Sequence, residues 1–137
     1  MGPNRFRRTR EDHSRELDED YVELIAALIA EKGEARATDL AERLDVSHVT
    51  VSKRIARLKR DGLVRGERYR AIFLTDEGAA LAERSRERHR IVLQFLLGIG
   101  VDPEHAEADA EGIEHHVSEA TLAAMAHAVG TAARSRT

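Results

Sequence analysis

The chain has 137 residues, enough for one compact domain or a small domain with an attached oligomerisation segment, but not for two large independent cores. It contains no cysteine, which excludes disulfides and thiolate-metal sites, and its aromatic share of 4% leaves a core built mainly from Leu, Ile, Val and Ala on helices. The net charge of −3 hides a divided molecule: residues 34–70 hold ten Lys or Arg against six Asp or Glu, whereas residues 102–119 hold seven acids and no base.

The N-terminus has no apolar h-region, and the longest apolar run, IVLQFLLGIGV, is too short to span a bilayer. The expectation is a cytoplasmic protein without membrane contact. Residues 1–17 mix Arg with Asp and Glu without an apolar period and read as a flexible charged tail. From Asp18 onward, Tyr21, Leu24, Ile25, Leu28 and Ile29 recur at helical spacing, with Gly33 as the C-terminal stop.

The next segment predicts two short helices. Thr38 caps the first, with Leu40, Ala41 and Leu44 inward; a turn passes through Val46; Ser47 caps the second, with Val51, Ile55 and Leu58 inward. Two short helices joined this way form a helix-turn-helix. The following LVRGERYRAIFLT holds two β-prone runs around a polar turn, which makes the hairpin wing of a winged helix.

Thr75 then caps a long helix whose second half presents Ile91, Val92, Phe95, Leu96 and Ile99, more apolar surface than a small domain leaves uncovered. A partner subunit is expected to cover it. Asp102 and Pro103 start a helix carrying EGIEHH, and Ser118 caps a last helix ended by Gly130. The predicted organisation is therefore mainly α: a tail over 1–17, a winged-helix domain over 18–76, a helical domain over 77–130 and a flexible tail over 131–137.

The second helix of the helix-turn-helix carries Lys53, Arg54, Arg57, Lys59 and Arg60 with no acid. Such a run is usually a solvated helix face, but here the cap, the turn, the glycine stop and the hairpin all agree on double-stranded DNA as partner. His48, Thr50, Ser52, Lys53 and Arg57 point away from the apolar face, toward a major groove. His48, Thr50 and Lys53 are the candidates for base edges; Arg54, Arg65, Arg68 and Arg70 are the candidates for phosphates.

Glu111, Glu114 and His115 stand at i, i+3 and i+4 on one helix face; Asp20 and Glu23 repeat the i, i+3 spacing on the first helix, and His89 lies on the long helix between them. These oxygen and imidazole donors suit a hard or borderline divalent ion, and four carboxylates match two dications better than one zinc ion. A solvated acidic helix accounts for the spacing equally well. His116 lies on another face, exposed or beside the ligands, while His13, His105 and His127 are expected on the surface.

DYVELI, the helix-turn-helix, RYRAIFLTDEG, RERHRIVLQFLLGIGV and DAEGIEHHVSE together resemble the manganese-responsive transcriptional regulators of the diphtheria toxin repressor superfamily, over about residues 18–129. The resemblance implies a homodimer with two Mn²⁺ per subunit, held by Asp20, Glu23, His89, Glu111, Glu114 and His115. The iron-responsive branch has Met and Cys where this chain has Asp20 and Glu114. No SH3-like domain is expected after the last helix. The family further implies an inverted-repeat operator, repression of manganese uptake genes and no small organic substrate.

Three alternatives remain at this point: an iron- or zinc-responsive repressor of the same superfamily, a two-metal carboxylate enzyme, and a winged-helix protein controlled by a small molecule or partner. Against the enzyme, no Gly-rich phosphate loop or Ser-His arrangement is evident, and a non-enzymatic role is expected.

Overall fold

A computed structural model describes the backbone of residues 2–67 and 70–135, and the side chains of 10–67 and 70–130. In chain order it contains α1 (Gly2–Lys32), α2 (Ala37–Leu44), α3 (His48–Arg60), β1 (Val64–Arg65), β2 (Phe73–Leu74), α4 (Asp76–Gly98), α5 (Pro103–Ile113) and α6 (Glu119–Ser135). The chain forms two compact units, Met1–Glu83 and Arg84–Thr137. None of the described helices is long and apolar enough to cross a membrane.

The first unit is a winged helix. Tyr21, Val22, Ile25 and Leu28 of α1 share one core with Leu40 and Ala41 of α2 and with Val51, Ile55 and Leu58 of α3. Full burial of each such Leu, Ile or Val contributes about 1.5–3 kcal/mol. Gly33 ends α1 at φ +84, and its N–H donates to the Ile29 carbonyl at 2.8 Å. The wing pairs Val64 with Leu74 and Arg65 with Phe73, antiparallel. Ala35 adds a bridge to Ile72, whose N–H donates to the Ala35 carbonyl at 2.7 Å.

The second unit packs Val92 and Leu96 of α4 against Ala106 and Ala110 of α5 and Leu122 of α6. The two alanines are fully buried. Their small side chains let the apolar α4 face meet the α5 backbone closely.

Several local signals act as expected. Thr50 N–H donates to Ser47 Oγ, Gly78 N–H to Thr75 Oγ1, His105 N–H to Asp102 Oδ2 and Thr121 N–H to Ser118 Oγ, so four helices start at the residues their caps indicate.

Other details differ. The first helix starts at Gly2 rather than Asp18, because residues 2–17 are rich in helix formers; Arg15 pairs with Asp12 one turn earlier, and Ser14 is tied to α3. α2 starts before Thr38: the Asp39 carboxylate accepts the Arg36 N–H at 3.1 Å and replaces Thr38 as the capping side chain. α6 runs through Gly130 to Ser135, since a glycine costs only about 1 kcal/mol within an alanine-rich helix. Val92 and Leu96, expected beneath a partner subunit, are instead buried within their own unit. Ile91 and Phe95 are half-buried and Ile99 remains 63% exposed, so the outward apolar face is narrower than the sequence suggests.

Candidate metal centre and nucleic-acid interface

The acidic helix α5 ends at Ile113, earlier than EGIEHH suggests. Glu114 keeps helical dihedrals (φ −55, ψ −30) and its N–H still donates to the Ala110 carbonyl at 3.0 Å, while His115 and His116 lie in the turn that follows. Glu114 therefore projects as a helical residue would, yet the chain leaves the helix immediately after it. Glu114 is 1% exposed and His115 4%, whereas the Glu111 side chain is 66% exposed.

His89 reaches these residues from α4. Its Nδ1 lies 2.8 Å from Glu114 Oε2 and 3.9 Å from Glu111 Oε1, and His115 Nε2 lies 3.4 Å from Glu114 Oε1. His89, Glu111 and Glu114 each offer one donor atom within 4.8 Å of the others. Burial pulls the His89 imidazole toward neutrality, but the charges of Glu114 and Glu111 and the hydrogen bond to Glu107 outweigh it, and its pKa is raised. Two carboxylates and an imidazole without sulfur fit a divalent ion of the manganese type.

Glu107 was not among the expected residues. Its Oε2 lies 3.0 Å from His89 Nε2, on the opposite side of the ring from Glu114. The signal was present in the sequence, since positions 107, 111 and 114 continue one stripe at i, i+4 and i+7. A carboxylate on the second ring nitrogen fixes the orientation of an imidazole whose first nitrogen ligates a metal.

Asp20 and Glu23 lie in the first unit, one turn apart on α1, and both are half-buried. His116 is exposed, as are His13, His105 and His127.

On α3, the side chains opposite the core are accessible: His48, Thr50, Ser52, Lys53 and Arg57 are all exposed, as are Lys59 and Arg60. Val49, which charge-based reasoning passed over, is 63% exposed at the start of α3. An apolar side chain there has the chemistry to pack on a thymine methyl. The wing presents Arg65 and Arg70; Arg70 is paired at 3.4 Å with Glu67, both side chains more than three-quarters exposed, a contact that solvent weakens. Arg68 lies outside the described residues.

Arg54 behaves differently from its neighbours on α3. Its Nη1 donates to Asp18 Oδ1 at 2.9 Å and to Ser14 Oγ at 3.1 Å, and its side chain is only 16% exposed. Burial pushes the Asp18 carboxyl upward, and the Arg54 hydrogen bond and charge offset only part of that, so its pKa is raised. In this structure Arg54 faces α1 rather than the expected phosphate side.

Residues 15–72 match the family described as iron dependent repressor, N-terminal DNA binding domain, and residues 75–135 match iron dependent repressor, metal binding and dimerisation domain. The chain is 59% identical over 120 residues to a transcriptional regulator MntR of Escherichia coli, covering 88% of this chain and 77% of that protein. It is 47% identical over 100 residues to an HTH-type transcriptional regulator MntR of Lysinibacillus sphaericus, covering 73% and 72%. Among solved structures it is similar to a manganese-dependent transcriptional repressor in complex with manganese, with a TM-score of 0.72 and 32% identity over 82% of this chain. The chain spans 52% of that structure's chain, about half its length.

Proposed function

The chain belongs to the iron-dependent repressor family, as a metal-dependent DNA-binding transcriptional regulator rather than an enzyme, and from that premise we propose that manganese is its effector. In this reading a homodimer takes two Mn²⁺ per subunit through Asp20, Glu23, His89, Glu111, Glu114 and His115, binds an inverted-repeat operator and represses manganese uptake genes. The observation that carries it is the His89, Glu111 and Glu114 cluster, an all-oxygen-and-imidazole donor set around a nearly fully buried carboxylate.

Bound Mn²⁺ would supply positive charge that offsets the repulsion among the carboxylates. The remaining work falls to the chain. Glu107 holds the His89 ring by Nε2, leaving Nδ1 toward Glu114 and Glu111. Asp20 and Glu23 sit on α1, which shares its core with the DNA-reading helix α3. His48, Thr50 and Lys53 are offered to base edges, and Arg57, Arg65, Arg68 and Arg70 to the groove and phosphates. Absence of sulfur in the set favours manganese over the iron-type arrangement, since an affinity ranking alone places Mn²⁺ below the later metals.

The test is to select duplexes from a random pool with the protein and Mn²⁺, then measure their binding with chelator, Mn²⁺, Fe²⁺ and Zn²⁺. Linkage adds a second measurement: the selected duplex must tighten Mn²⁺ binding by the factor with which Mn²⁺ tightens DNA binding. Binding that is equally tight in chelator would refute the reading.

A further inference from the structure

We propose that Asp18 and Arg54 are a positioning pair that transmits the placement of α1, the helix bearing Asp20 and Glu23, to the DNA-reading helix α3. The proposal rests on the manganese-responsive reading above.

Five basic residues lie on α3, and four of them, Lys53, Arg57, Lys59 and Arg60, are exposed. Arg54 is the exception. One of its terminal nitrogens is shared between Asp18 Oδ1 at 2.9 Å and Ser14 Oγ at 3.1 Å, two residues one helical turn apart on α1. The Arg54 and Asp18 side chains are 16% and 14% exposed, so most of both charges is withdrawn from water. A charge in that position is tolerated because its partner is close and well oriented.

The geometry separates this contact from the apolar cluster that α1 and α3 share. Val22 and Ile25 belong to the same buried cluster as Val51, Ile55 and Leu58, and the hydrophobic effect that gathers them is non-directional. A charge-assisted hydrogen bond has a preferred distance and direction, and therefore specifies rotation and axial slip. Asp20 and Glu23 follow Asp18 by two and five residues on the same continuous helix. A shift of α1 imposed at those two carboxylates is thus delivered at Asp18 and Ser14, and from there to the middle of α3.

The experiment uses the full chain, Asp18→Asn, Arg54→Gln and the double variant, with the duplex that the wild-type protein selects in Mn²⁺. Each single variant is expected to lose about fivefold or more of the Mn²⁺-dependent gain in DNA affinity, on the scale of ordinary site-to-site coupling. The double variant is expected to be no worse than the weaker single one, because both changes break one contact. The dependence of DNA affinity on salt should keep its wild-type slope, and the factor by which the duplex tightens Mn²⁺ binding in Asp18→Asn should fall to the same extent as its Mn²⁺-dependent gain.

A phosphate-contacting Arg54 would produce the opposite pattern: a salt slope reduced by about one in Arg54→Gln and an unaltered gain in Asp18→Asn. That pattern overturns the pair. If Arg54→Gln fails to fold by circular dichroism, the isosteric Asp18→Asn decides alone, and a wild-type gain in it overturns the proposal. A wild-type protein with no Mn²⁺-dependent gain defeats the functional reading and the pair together, whereas a normal wild type with unaffected variants defeats only the pair.

Discussion

Glu111 and Glu114 occupy equivalent spacing but opposite environments. Glu111 is 66% exposed at its side chain and is easily hydrated, whereas Glu114 is 1% exposed and lies against His89 and His115. A carboxylate so deeply placed requires compensation, from imidazolium or from a cation. Glu114→Ala takes the buried charge itself away, so the variant should stay folded. We expect Glu114→Ala, and likewise Asp20→Ala, to give a dimer whose operator affinity in excess Mn²⁺ lacks the gain of about 5- to 150-fold typical of coupled sites. Fluorescence anisotropy with a labelled duplex reads this directly, and a wild-type response in both variants would sink the ligand assignment.

Among the elements, the junction between wing and α4 leaves little room for change. Thr75 Oγ1 accepts the Gly78 N–H at 3.1 Å and donates to the Gly62 carbonyl at 2.6 Å, tying the start of α4 to the end of α3. A Cβ on Gly78 would lie 1.9 Å from the Leu63 carbonyl oxygen and 3.2 Å from Leu74 Cδ2. Backbone cannot rotate away as a side chain can. Gly78→Ala is therefore expected to destabilise the first unit by about 1–3 kcal/mol, the range for overpacking, visible as an earlier thermal melt by circular dichroism. A melting curve superimposable on the wild type would contradict the tight junction. The need for glycine here was hidden in the sequence, where TDEG reads only as a helix start.

At the scale of the whole molecule, the metal-binding and dimerisation domain makes the functional form a homodimer. Val92 and Leu96 are already used inside the subunit, which leaves Ile99, in the turn just past the end of α4 and 63% exposed, as the most accessible large apolar side chain among the described residues of the second unit. A residue in a twofold interface acts twice, and burying an Ile contributes about 1.5–3 kcal/mol. Ile99→Glu should leave each subunit folded while raising the dimer dissociation constant by at least about tenfold. Sedimentation equilibrium at micromolar concentration tests this, and an unweakened dimer would place the interface elsewhere.

What the sequence determined by itself is local and chemical. Ser47, Thr75, Asp102 and Ser118 cap helices through hydrogen bonds that span three residues, so the cap and its target are adjacent in the text of the chain. The inward faces of α1, α2 and α3 follow from their period, and the donor types at the metal residues are simply their identities. Tertiary structure decided what depends on contacts between distant segments. Arg54 turns to Asp18 across 36 residues, Glu114 is enclosed while Glu111 is not, and Glu107 meets His89 from another helix. Burial and ion pairing arise only when particular helix faces meet, and periodicity states which face is apolar without stating what it meets.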